Sequence, residues 1–101
     1  MPESEGLRLG KVAVARVFRD ATKLRQFLEQ TKPLRIQLES CDFRQVESFI
    51  RELAPPHGAI PPRGAHILSG YQDLPDSELG ILQQYFRQEL KEARTAHPDL
   101  F

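Results

Sequence analysis

The stretch LRIQLESCDFRQVESFIREL, residues 34–53, contains the clearest change of periodicity in the sequence. In its first half, Leu34, Ile36 and Leu38 alternate with polar residues, which is typical of a half-buried strand. In its second half the apolar residues recur at three- and four-residue steps, as on one face of a helix; they are Phe43, Val46, Phe49, Ile50 and Leu53. The stretch therefore predicts a strand over 34–39 followed by a helix.

The junction between the two halves carries a helix start signal. Asp42 stands where an N-cap belongs, and Gln45 follows three residues later. An aspartate side chain can accept a hydrogen bond from a backbone N–H of the first turn, while the glutamine reaches back to the N-cap residue. We therefore expect a capping box at the start of this helix.

The preceding segment repeats the pattern. Moving the sequence by 22 positions places residues 12–33 on residues 34–55, with Asp20 on Asp42. Together with the β-branched residues of KVAVARVF, residues 11–18, this favours a strand at 11–18 and a helix at 20–31 that stops before Pro33. One continuous helix over 11–31 is the alternative, because the apolar residues there also fit a helical stripe.

The second half of the chain predicts a stiff loop, a short strand and a long helix. APPHGAIPPRG, residues 54–64, holds four prolines and two glycines, which exclude regular structure. AHILS, residues 65–69, reads as a third strand. A helix from Pro75 or Asp76 to His97 carries an apolar stripe, made of Leu79, Leu82, Phe86, Leu90 and Ala93.

These elements predict an α/β (or α+β) fold. The order β-α-β-α-β-α, with polar residues on one side of the strand at 34–39, favours a small two-layer sandwich of about three strands with helices on one face. We expect residues 7–101 to form a single domain and residues 1–6 to be an acidic, disordered lead-in.

Charge and cysteine content narrow the function classes. The formal net charge of the 101 residues is zero, but residues 7–44 hold nine Lys or Arg and four Asp or Glu, a local net charge of +5. Cys41 is the only cysteine, so no internal disulfide can form. The N-terminus has no apolar signal-peptide core, and no run approaches the ~20 apolar residues that span a bilayer. We expect a cytoplasmic protein.

No catalytic or cofactor motif accompanies this pattern. Cys41 lies between the predicted strand and helix, where a thiolate can be stabilised, but neither C-x-x-C nor a phosphatase-like C-x-x-x-x-x-R is present. The three histidines have no zinc-site spacing, and the glycines form no phosphate-binding loop. We expect no metal, no cofactor and no catalytic residue.

The predicted partner surface is the proline loop and its neighbours. A stiff loop presents side chains at a low entropic cost, and arginine and tyrosine are enriched where interfaces are strongest. We predict that a partner contacts five residues: Arg63, His57, His66, Tyr71 and Arg35.

Residues 34–63, LRIQLESCD followed by a helix and then GAIPPR, resemble the start of the tenth small-subunit ribosomal protein. That resemblance implies an RNA-associated protein. The helix-to-loop distance is shorter here, and the chain ends in a long helix where that family has strands, so we assign no family.

Three hypotheses about function remain. The first is a small non-enzymatic regulatory or accessory protein that acts by binding another protein and forms a weak homodimer through a sheet edge. The alternative is an RNA- or ribosome-associated protein that uses the basic segment 7–44. A small thiol-dependent enzyme at Cys41 is the third hypothesis.

Overall fold

The computed structural model describes residues 4–54 and 74–101 of the chain. Within them lie four α-helices: α1 (Glu5–Phe18), α2 (Ala21–Thr31), α3 (Glu47–Leu53) and α4 (Asp76–Ala96). Short 3-10 turns occupy Lys32–Leu34, Phe43–Gln45 and Pro98–Leu100. No strand occurs in either described range, so the architecture seen there is a small helical bundle.

The strand predicted over residues 11–18 is wrong, because this segment is the C-terminal part of α1. The valines that favoured a strand lower helix propensity by less than about 1 kcal/mol each. Val14 and Val17 are fully buried, and burying such a side chain contributes roughly 1.5–3 kcal/mol. Packing of one helix face therefore outweighs the local preference of the valines.

The alternative of one helix over 11–31 is also not observed, because the chain changes direction at Arg19 and Asp20. The carboxylate of Asp20 accepts hydrogen bonds from the N–H groups of Thr22 and Lys23, at 2.9 and 3.1 Å. Asp20 thereby caps α2, and the helix predicted over 20–31 is confirmed.

The strand predicted over 34–39 is wrong as well, and with it the α/β sandwich. Leu34 ends a 3-10 turn and Arg35 is left-handed, with φ 57°, which takes the chain out of the extended conformation. The N–H groups of Ser40 and Cys41 both donate to the carbonyl of Gln37, at 3.1 and 2.8 Å. These local turns satisfy backbone groups that a strand would have to pair with a neighbouring strand, and the described residues contain none.

The helix ends that were predicted from capping residues and prolines are confirmed. Asp42 and Gln45 form the predicted capping box, although it opens a 3-10 turn that leads into α3. α4 runs from Asp76 to Ala96, as its apolar stripe and flanking prolines predict. The predicted third strand at 65–69 and the loop residues 55–64 lie outside the described residues.

The core is built around a chain of four buried phenylalanine rings. The Phe18 ring centre lies 5.3 Å from that of Phe27 and 5.4 Å from that of Phe86, and Phe43 lies 5.7 Å from Phe86. These contacts join α1, α2, α4 and the turn before α3, in the edge-on and tilted geometries that aromatic pairs prefer.

α1 and α4 run side by side in the same direction. The hydroxyl of Ser4 donates to the Glu78 carboxylate near the start of both helices, at 2.8 Å, and Arg19 reaches Glu89 farther along both. Between these contacts the Leu82 side chain lies directly over the backbone of α1 at Gly10.

We predict that Gly10→Val destabilises the protein by about 1–3 kcal/mol, the usual cost of an overpacked core. A Cβ at position 10 would lie 2.7 Å from a Leu82 methyl carbon, and Leu82 is fully buried, so its side chain must shift within a packed core. Urea unfolding measures the loss.

Gly80→Val is the matched control, because a Cβ at Gly80 meets nothing within 4 Å. We expect it to leave stability unchanged or slightly higher, since valine forms helix better than glycine. Equal losses at both positions would contradict the close approach at Gly10.

Candidate functional site

A groove of about 460 Å³ runs along the outer side of α1 and is bordered by α4. Its lining residues, which define the α1–α4 groove, are Arg8, Lys11, Val12, Ala15, Arg16, Arg19 and Tyr85. The lining positions at the α1 side recur at three- and four-residue steps, so they form one stripe of the helix. The opposite stripe of α1 is buried in the core.

The floor of the groove is apolar and open to solvent. Val12 is 37% exposed, and Ala15 beside it is half-buried. On α4, Ile81 lies one turn before Tyr85 and therefore on the same side of that helix. Ile81 is 49% exposed, which lengthens the apolar surface beside the groove.

Tyr85 forms the α4 wall and is held by two charged neighbours. The Lys11 ammonium lies 5.6 Å from the centre of the Tyr85 ring, within cation–π range. Burial raises the pKa of the Tyr85 hydroxyl above its ordinary value, and the nearby Glu89 carboxylate raises it further. Tyr85 therefore stays neutral at physiological pH.

Arg19 lies at one end of the groove and forms an ion pair with Glu89. Its Nε and Nη2 donate to the two carboxylate oxygens of Glu89, at 2.9 and 2.7 Å. The Glu89 side chain is only 4% exposed, whereas that of Arg19 is 65% exposed. Since a buried carboxylate without a counterion is costly, Arg19 cannot leave Glu89 to bind another anion without a penalty.

Among the described residues, Arg16 is the groove cation that has no counterion. Arg8 pairs with Glu5 one turn away, and Arg19 pairs with Glu89. Arg16 is exposed and makes no ion pair with any described residue. An anionic group on a partner would therefore find its counterion at Arg16, between the apolar Val12 and Ala15 and the committed Arg19.

A second cavity of about 330 Å³ lies on the other side of the Arg19–Glu89 pair. Phe18 and Ala93 line it together with the polar side chains of Glu92 and His97. Across the described residues, no cluster of three or more His, Cys, Asp or Glu side chains could hold a metal ion.

Of the predicted contact residues, Arg35 alone falls in the described ranges. It is exposed in the turn after α2 and does not line the α1–α4 groove. His57, Arg63, His66 and Tyr71 lie outside the described residues and stay predictions.

Cys41 is buried in a turn fixed against α4. The side-chain amide of Gln83 donates to the Cys41 carbonyl at 3.0 Å and accepts from the N–H of Phe43 at 2.6 Å. Burial raises the pKa of the Cys41 thiol above its ordinary value, an effect that Arg87 only partly opposes. The environment therefore favours the unreactive thiol over the thiolate.

The groove residues were missed because 11–18 was interpreted as a strand. A strand would send Val12 and Ala15 to opposite faces, whereas a helix brings them together. The spacing of residues 8, 12, 15, 16 and 19 was the available signal, and it appears only on a helical interpretation.

We predict that Arg19→Met lowers the urea midpoint, because it leaves the buried Glu89 carboxylate without its counterion. Arg16→Met is the matched control one turn away, and it should change the free energy of unfolding by less than about 0.5 kcal/mol. Equal midpoints for the two variants would show that the Arg19–Glu89 pair does not stabilise the fold.

We also predict that Cys41 reacts slowly with a thiol reagent at neutral pH in the folded protein and rapidly in urea. The reason is its burial together with the raised pKa of its thiol. With a thiol reagent that releases a chromophore when it reacts, absorbance measures the labelling rate in the folded protein and in urea. Fast labelling in the folded state would restore Cys41 as a candidate nucleophile.

Comparison with protein-family models, curated proteins and solved structures finds no match for this chain. Among the described residues, no helix is both long and apolar enough to cross a membrane. The function of the α1–α4 groove must therefore be inferred from its own geometry and charge.

Proposed function

We propose that this protein is a small non-enzymatic regulatory or accessory module that binds another protein in the α1–α4 groove. The observation that carries the proposal is the juxtaposition of Arg16, an exposed arginine without a described counterion, with the exposed apolar surface of Val12 and Ala15. Apolar contact area combined with an arginine is typical of the residues that dominate protein interfaces.

The groove chemistry favours a protein over RNA. Single-stranded RNA is bound by exposed aromatic rings that stack on bases, together with a strong positive field. Tyr85 is the single aromatic residue among the described residues that line the groove; it is half-buried and approached by Lys11. The net charge of the chain is zero, which limits counterion release on nucleic acid. RNA association through residues 7–44 stays the alternative.

Two other expectations gain no support from the described residues. A thiol-dependent enzyme requires an accessible thiolate, and Cys41 is buried with a raised thiol pKa. The weak homodimer was expected from a sheet edge, and neither described range contains a strand. The partner surface predicted at Arg63 and its neighbours stays a separate prediction, and binding in the α1–α4 groove does not depend on it.

We predict that Arg16→Glu lowers the affinity for the natural partner by at least tenfold, about 1.4 kcal/mol. Immobilised wild-type and variant proteins would be used to capture partners from nuclease-treated lysate of the source organism. A captured protein would then be purified and titrated against each variant by calorimetry.

Arg25→Glu is the matched control, since Arg25 is an exposed arginine of α2 with the same change of charge and does not line the groove. Partner binding should survive it. A directly binding partner that tolerates both Arg16→Glu and Val12→Asp would exclude the α1–α4 groove as the binding surface. Capture that is lost on nuclease treatment would favour the RNA alternative.

A further inference from the structure

We propose, resting on the function proposed above, that the occupant of the α1–α4 groove is an acidic amphipathic α-helix that lies along α1. Its apolar side chains would contact Val12, Ala15 and Tyr85, and its carboxylates would face Arg16 and the neighbouring cations.

The shape of the groove suits a helix. The groove follows α1 from Arg8 to Arg19 just past its end, a length of about 18 Å at the rise of an α-helix. Its lining positions recur once per helical turn, which is the spacing at which a second helix presents side chains at i, i+3, i+4 and i+7. Ala15 is small enough to let the partner backbone approach, while Val12 and Tyr85 bound the apolar strip on either side.

The apolar strip is narrow. Val12 and Ala15 lie one turn apart along α1, and Tyr85 is the one residue of α4 among the described lining residues. A partner helix with two or three apolar side chains on one face would cover this strip. The rest of that partner face would meet charged side chains, which selects for an amphipathic helix over a fully apolar one.

The charge of the groove selects for an acidic partner. Among the described lining residues four are cations and none is an anion; the cations are Arg8, Lys11, Arg16 and Arg19. Arg8 and Arg19 are already paired with Glu5 and Glu89, and Lys11 lies over the Tyr85 ring, so Arg16 is the strongest determinant of this preference. Complementary charge speeds association and rejects partners of the same charge.

The same charges disfavour a second copy of the chain. Two copies that met through this stripe of α1 would bring their Arg16 side chains, and the cations on either side, close together. An anionic membrane surface is disfavoured for a different reason: among the described lining residues the α1 stripe offers only the small apolar side chains of Val12 and Ala15, whereas membrane-bound amphipathic helices bury a large apolar face.

The test uses synthetic, end-capped peptides of about 14 residues, the length of α1. The acidic peptide places leucines at i, i+3, i+4 and i+7 and glutamates on both flanks. One control peptide has the same composition in scrambled order, and another replaces each glutamate by lysine. Fluorescence anisotropy with the purified full chain measures binding at physiological salt.

The expected result is saturable binding of the acidic peptide, at least tenfold tighter than that of the scrambled peptide and absent for the lysine peptide. Arg16→Glu and Val12→Asp should each weaken it at least tenfold, while Arg25→Glu should leave it unchanged. Arg16→Glu should also shift the preference toward the lysine peptide, which loss of folding could not produce. Circular dichroism confirms that each variant is folded.

Equal binding of the acidic and scrambled peptides would overturn the assignment of a helical partner. Groove-dependent binding that is tighter to phosphatidylserine vesicles or to a mixed-sequence RNA would overturn the assignment of an acidic protein segment. Either outcome leaves the proposed function standing if the natural partner still depends on Arg16. The proposed function is contradicted by a different result: a natural partner that binds Arg16→Glu and Val12→Asp as tightly as the wild-type protein.

Discussion

The contact between Phe18 and Phe86, whose ring centres are 5.4 Å apart, fixes the position of α1 against α4. Phe27 extends this contact into α2 and Phe43 extends it into the turn before α3. Burying a phenylalanine contributes roughly 1.5–3 kcal/mol, and each ring pair about 0.5–1.5 kcal/mol more, against a total stability of about 5–15 kcal/mol for a typical domain. Because net stability is a small difference between large opposing terms, loss of one of these rings would remove a large part of it. It also sets the geometry of the groove, because Tyr85 directly precedes Phe86 and reaches the outer side of α1 only when that contact is formed.

The parts of the fold that could be predicted are those governed by local chemistry. Asp20 and Asp42 cap the elements that follow them because a carboxylate next to free N–H groups needs no distant partner. The long helix α4 was equally visible, since its stripe from Leu79 to Ala93 is sustained over about four turns. The strands were wrong for a different reason. The alternation of Leu34, Ile36 and Leu38 was taken to mean an extended backbone, whereas a turn around Gln37 buries Leu38 and packs Ile36 against the core. Leu34 is 56% exposed, so alternation over so short a segment indicates neither an extended backbone nor a uniformly buried face.

The candidate site was less accessible to sequence reasoning than the fold. The excess of basic residues in 7–44 was visible in the sequence. Which of these residues form ion pairs and which have no described counterion was not visible. Arg16 and Arg19 are chemically identical and one turn apart, and they differ because α4 places Glu89 beside one of them. That difference arises from a contact across 70 residues. Single-sequence patterns carry no information about such pairs, so the groove emerges only when α1 and α4 are seen together.

The parallel pairing of α1 and α4 has a consequence for how the protein folds while it is being synthesised. During synthesis a helix can be covered only after the residues that cover it have been made. The face of α1 that receives Leu82 and Phe86 is made before its cover, because α1 ends at Phe18 and α4 begins only at Asp76. This apolar face therefore lacks its α4 cover while the intervening residues are synthesised. Bringing such distant helices together costs loop-closure entropy that a bundle of sequential hairpins avoids. During that interval the apolar face of α1 is accessible to chaperones that bind exposed apolar helices.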